Sequence, residues 1–160
     1  MAQDVFLKIE GLKGEAKDTV HKDEIDVLSW SWGMSQSGTM HVGGGGGGGK
    51  VAIQDMNVVK YVDKSSTELM LRCCSGKHFP SATLTVRKAG DKPLEYMVVS
   101  LTDVLIAHVS TGGTGDNDRL TEQVTLNFAK VKVKYQEQSQ TGGVASSPEM
   151  TWDIQTNQPG

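Results

Sequence analysis

The stretch Thr121–Tyr135 constrains the fold more than any other, because its alternation changes phase partway along. Val124, Leu126 and Phe128 alternate with Thr125, Asn127 and Ala129; then Val131, Val133 and Tyr135 become the apolar set, against Lys130, Lys132 and Lys134. Successive side chains on a strand point to opposite faces. A shift of one place turns the apolar set to the other face, so the chain must gain a residue or bend where the phase changes. A bulge or bend is therefore expected near Phe128–Lys130. Bends let a sheet curl, and a curled sheet closes into a barrel.

Most of the remaining chain also reads as strand. Val5, Leu7 and Ile9 alternate with Phe6, Lys8 and Glu10, and Ala82, Leu84 and Val86 alternate with Thr83, Thr85 and Arg87. The run Leu94–Val109 is long and rich in Val, Leu and Ile, as a strand buried on both faces would be. At 160 residues the chain is long enough for one domain with a real core. Only 6% of it is aromatic, so that core must be drawn from Val, Leu, Ile and Met. The expected architecture is mainly β, in one domain over 1–160 with a tail from 136 onward.

Residues 24–37 read EIDVLSWSWGMSQS, and the two faces disagree. Leu28, Trp30, Trp32 and Met34 share one face, which must be buried, since four large apolar groups in a row would be a sticky patch. Ser29, Ser31, Gly33 and Ser35 share the other. That face is small and neutral, where an ordinary solvent face carries charge. Either Ser and Gly are tolerated on an exposed strand, or a smooth polar wall is wanted because something passes close to it.

One helix is expected over about 65–75. Ser65 and Glu68 have the capping-box spacing, and Gly76 supplies a left-handed stop. Glu68, Arg72 and Ser75 form one narrow polar stripe. Leu69, Met70, Leu71, Cys73 and Cys74 fill the rest of the circumference, an arc wider than packing on a single sheet requires. Either the helix is deeply embedded in its own domain, or a second surface, such as a neighbouring subunit, covers it. Adjacent cysteines bridge only through a strained ring, and no zinc spacing surrounds them, so both are expected to be small buried apolar residues.

The glycines Gly43 to Gly49 invite a phosphate-loop reading, because Gly44, Gly49 and Lys50 match G-x-x-x-x-G-K. Val51 then stands where Ser or Thr would hold magnesium, and the following KVAIQDMNVV reads as strand, not as a helix aimed at phosphate. A long flexible connection between two strands is the better reading.

Nothing in the sequence assembles chemistry. His21, His41, His78 and His108 are scattered, with no pair at metal-ligand spacing. Asp116 and Asp118 lie in TGGTGDNDR, which reads as a hairpin tip and lacks the Gly and Glu of a calcium loop. No nucleophile elbow or metalloprotease motif is present. No catalytic residue, metal or cofactor is expected. The net charge of -3 argues against a nucleic-acid partner. The start MAQDVFLKIE lacks the pattern of a signal peptide, and no run is long enough to span a membrane, so a soluble cytoplasmic product is the expectation.

Several blocks together carry a family resemblance. They are FLKIEG at 6–11, HKDEIDVLSWSWG at 21–33, DKSS at 63–66, SGKHFPSATLTVRKAG at 75–90, LEY at 94–96 and TEQVTLNFAKV at 121–131. The chain resembles the hemolysin-coregulated protein (Hcp) family, subunits of the inner tube of the bacterial type VI secretion system. The resemblance implies a β-barrel of two packed antiparallel sheets with one flanking helix. It implies hexameric rings that stack into a tube, carry small effectors in the lumen, and meet spike and sheath components of the apparatus. It also implies export without a signal peptide, into the medium or a target cell. Under it, Ser29, Ser31, Gly33 and Ser35 line the lumen. The helix residues Leu69, Met70, Leu71, Cys73 and Cys74 pack in the ring. Gly43, Gly44, Gly45, Gly46, Gly47, Gly48 and Gly49 fall where the family has a loop touching the next ring. The tail after Tyr135 is too short for a fused toxin domain. The rival expectation is a monomeric ligand-binding β-barrel with an apolar pocket inside.

Overall fold

The computed structural model describes residues 3–38, 49–90, 93–141 and 143–160. The stretch Gly43 to Gly48 therefore lies outside the described residues. In chain order the elements are β1 (Gln3–Ile9), β2 (Ile25–Ser31), β3 (Met34–Ser35), β4 (Ala52–Ile53), β5 (Met56–Tyr61) and helix α1 (Ser66–Ser75). They continue with β6 (Phe79–Lys88), β7 (Leu94–Gly112), β8 (Thr121–Tyr135), β9 (Glu137–Gln138), β10 (Val144–Ser146) and β11 (Glu149–Asp153).

The sheet runs β8-β5-β2-β1-β6-β7, and β7 pairs back onto β8, closing a six-stranded antiparallel barrel. Its interior is filled by side chains: Leu7, Met56, Val58, Leu84, Leu101 and Leu126 are all essentially inaccessible.

The expected bend is present. Val124, Leu126 and Phe128 are buried before it and Val131 after it. Its form is unusual, because pairing with β7 keeps step across it: Val104 lies opposite Phe128, and Thr102 opposite Lys130. β7 changes phase at the same place, with Leu101 buried before and Val104 after. Asp103 takes φ 58°, a left-handed conformation that an Asp tolerates better than most residues. Both strands thus bend together and neither slips. At the bend β8 also changes neighbours. Its first half pairs with β5 and its second half with β11, and the Ile154 N–H donates to the Ala129 carbonyl. One-sided register shifts in the barrel fall elsewhere: at Leu28 on β2, at Tyr96 on β7 opposite Val86 and Arg87, and between Ile106 and His108 on β7.

The shift at Leu28 corrects the expected apolar face of β2. Ile25 and Val27 point into the barrel; Leu28 is then the extra residue, with 44% of its surface exposed; Trp30 and Trp32 take up the inward phase, half-buried against the core. The Trp32 ring tilts against Phe128, and its Nε1 donates to the Gln54 carbonyl at 2.9 Å. Met34 is exposed in the short β3–β4 ribbon beyond the barrel. The alternation 28, 30, 32, 34 is unbroken in sequence, so nothing in it marks the inserted residue.

The helix differs from expectation at its start. Ser65 makes no side-chain cap; its hydroxyl donates to Asp63 Oδ1, which also accepts the Ser65 N–H at 2.9 Å. Glu68 pairs with Arg72 at 2.9 Å instead of closing a capping box. The stop is as expected: Gly76 has φ 70°, and its N–H donates to the Arg72 carbonyl. Only Ser66 and Leu69 of the helix are buried. Cys73 is half-buried and Cys74 exposed, so the cysteines are not the buried pair expected.

Candidate functional surface

Outward-facing residues of β2, β5, β8 and the end of β7 form one continuous face. The register places Ser31 opposite Asn57, Asn57 opposite Thr125, and Thr125 opposite His108. The next row is Ser29, Val59, Gln123 and Ser110. Eight positions over four strands therefore carry no acidic side chain, no Lys and no Arg. Thr125 donates its hydroxyl to Asn57 Oδ1 at 2.7 Å, so neighbouring polar groups satisfy each other across the sheet. The wall first visible as Ser29 and Ser31 on one strand extends over three more.

Charge collects at the two ends of this face. At one end Asp55 accepts the Asn127 amide at 2.8 Å. At the other, Glu15, Lys17, Asp26, Tyr61, Asp63 and Arg119 line a shallow pocket, with the Arg119 guanidinium stacked 3.6 Å from the Tyr61 ring centre. Asp26 has an open surface, yet atoms of the pocket partly desolvate it. That desolvation raises its carboxyl above the usual range, and Arg119 opposes the rise.

The other expected wall residues lie apart. Gly33 is half-buried past the end of β2, where its carbonyl accepts the Gln54 N–H and a Cβ would press on Gln54 Oε1 at 3.3 Å. The end of the exposed Gln54 side chain is free to yield a few tenths of an ångström there. Ser35 is exposed in β3, opposite Ala52. Of the helix arc, Leu69 faces the barrel, Met70 and Cys73 are half-buried, and Leu71 and Cys74 face outward, with Leu71 58% exposed. The deeply embedded helix is excluded; its outer flank is bare in the single chain.

Two polar clusters escaped the sequence reading. Inside the barrel mouth, Lys60 and Glu122 form an ion pair without measurable exposure of either side chain. The signal was present: Lys60 follows Met56 and Val58 in the inward phase of one strand, and Glu122 precedes Val124 and Leu126 in that of its neighbour. Outside the barrel, Arg87 grips both Asp18 oxygens at 2.9 and 2.7 Å, reaches Asp4 at 3.1 Å, and lies over Phe6. Arg87 holds the Asp18 carboxyl well below the usual carboxylate range, and Asp18 in turn raises Arg87. His21 stacks on Phe6 and bridges Glu24 at 2.8 Å and Glu95 at 2.6 Å. Among the described residues no three His, Cys, Asp or Glu side chains converge as metal ligands, and no helix is long and apolar enough to cross a membrane.

Fold and face together define a class of protein: a filled barrel whose distinctive surface is a broad neutral wall on its outside. The family model described as type VI secretion system effector, Hcp, matches residues 6–135. This chain belongs to the Hcp family, proteins of the type VI secretion system. It is 57% identical to protein hcp1 of Pseudomonas aeruginosa over 159 residues, covering 98% of each chain. The crystal structure of Hcp1 from Salmonella typhimurium is similar, with 41% identity, TM-score 0.83 and 99% of each chain covered. The structure of a type six secretion system protein superposes with TM-score 0.92 at 29% identity, over 99% of this chain and 100% of the other.

Proposed function

We propose that this chain is a single-domain structural subunit of the type VI inner tube. It forms hexameric rings that stack into a tube, with small effectors carried in the lumen. The observation that carries the reading is the neutral wall across β2, β5, β8 and β7. A lumen must let cargo slide without capture, and a wall with no charge in its middle offers few strong contacts to break. Ser29 and Ser31 sit centrally in it; Gly33 and Ser35 continue toward its margin. The bare flank of α1, with Leu71 and Cys74 outward and Met70 and Cys73 beside them, supports a second role, as a seam between subunits. Gly43 to Gly49 are assigned the contact to the next ring. The protein acts without catalysis, waits in the cytoplasm, and leaves with the tube under spike and sheath components.

The test is assembly. Purified protein at micromolar concentration is expected to sediment as a closed ring and to show annular particles by negative stain. Such an obligate interface buries roughly 2,000 Å² or more in total. Leu71→Asp should weaken the ring at an unchanged monomer fold. Sedimentation at monomer mass across that range would defeat the proposal; the rival ligand-binding barrel needs an apolar pocket inside, and side chains fill that space.

A further inference from the structure

Among the described residues the Lys60–Glu122 pair is the most deeply buried charge, and it touches the start of α1. Lys60 Nζ reaches Glu122, Asp63 Oδ1 at 3.1 Å and Ser66 Oγ at 3.2 Å, so each of its three donors has a partner. Glu122 also accepts the Ser66 hydroxyl at 2.5 Å and the Thr111 hydroxyl at 3.2 Å. Asp63 accepts from Ser65, and its own N–H donates to Ser66 Oγ at 3.0 Å. The network thus knots β5, β7 and β8 to the first helical residue.

The helix has little else to fix it. Leu69 is its one fully buried apolar side chain, Cys73 packs half-buried against the core, and Arg72 lies over the Phe79 ring at 4.1 Å. Apolar contacts of this kind hold a helix down but carry no direction, and leave it some freedom to pivot. The directional bonds to Ser66 remove that freedom. Apolar residues of similar volume would close the barrel mouth with no loss of stability, because burying two charges costs about as much as their attraction returns. What such a plug could not supply is direction.

We infer that the Lys60–Glu122–Asp63 network is a positioning device: it sets the angle of α1 so that Leu71 and Cys74 meet a neighbouring copy. The inference rests on the proposed role of α1 as a ring seam. Its test is Ser66→Ala, which cuts the tie to the helix while leaving Lys60 and Glu122 paired. Alanine has the higher helix propensity, so local preference alone would slow amide exchange in α1. The expected result is the reverse: exchange in α1 faster by about tenfold, strand amides unchanged, and ring dissociation shifted to higher concentration. Lys60→Met with Glu122→Leu should give the same split at an equal or higher unfolding midpoint. Unchanged or slower α1 exchange in Ser66→Ala overturns the inference. So does faster exchange throughout the barrel, or faster α1 exchange with rings of unaltered affinity. Leu71→Asp separates the two readings: rings intact in that variant remove the seam itself, whereas α1 exchange in Ser66→Ala still decides whether the network fixes the helix.

Discussion

The barrel has two outer faces of opposite kind. Over β1 and β6, residues that point away from the core are nonetheless covered: Phe6, Thr85 and Arg87 are all buried. The segment 14–24 does the covering. It folds on itself through the Gly14 N–H to Asp23 and the Ala16 N–H to Glu24, and a Cβ on Gly14 would collide with the Glu24 carbonyl. Asp18 and His21 then clamp it to Arg87 and Glu95. On the face of β2, β5 and β8, Ser31, Asn57, Gln123 and Asn127 stay exposed, and nothing in the described chain lies over them. One face spends charge to hold a strap. The other is kept bare and neutral. The uncovered face keeps its charge at its two ends and none in its middle.

The comparison breaks first at the strap. Asp18→Asn strips Arg87 of its main partner inside a covered face and should lower unfolding free energy by about 2–3 kcal/mol, read from denaturant midpoints. A loss under about 1 kcal/mol would mean the clamp holds nothing. The inner side of the wall comes next. Trp32→Ala should cost about 2–3 kcal/mol, less than a fully buried indole, since the ring is only half-buried. Acid should also separate the faces. Asp18 is depressed in the folded state, so its contribution is complete above the ordinary carboxylate pKa of about 4 and is lost as pH falls below it. Wild type should therefore lose stability below that pH more steeply than Asp18→Asn; parallel curves would remove Asp18 from the acid response. The smallest effect on stability belongs to the wall. Ser31→Gln should change it by less than about 0.5 kcal/mol and leave rings intact, yet reduce co-purification of a cognate effector. Equal recovery of effector would take Ser31 out of the cargo path.

Legibility in the sequence followed what a period of two can encode. The bend in β8 was readable because it flips the apolar set within one run. Its partner in β7 was not, because apolar residues fall on both faces of Leu94–Val109 and hide its own change of phase; the strand expected to be buried on both faces is fully buried on one only. The extra residue at Leu28 was invisible for the opposite reason: the alternation continues, but the strand beneath it slips. The face of Ser29 and Ser31 was legible on one strand, whereas Asn57, Gln123 and Thr125 join it only through register. The helix stop was read correctly from Gly76. Its start was not, because Asp63 competes for the Ser65 hydroxyl and a buried glutamate from β8 takes Ser66. Long-range polar partners of that kind leave no local spacing to find.

Closing the barrel leaves β11 as the strand that ends the sheet; its outer edge is paired with Gln158 at Asp153, and an open strand edge invites another chain to add to it. Here the last strand carries Glu149 and Asp153, which face Lys132 at 3.3 Å and Lys130 at 3.6 Å on β8. A second strand laid along β11 would have to bring its own side chains against that row of charge. Asp153 accepts the Thr156 N–H, and that bond holds its carboxyl below the usual range. The Asp153 charge therefore persists to lower pH than an ordinary aspartate's. The margin where another strand would add is thus lined with paired charge from both β8 and β11.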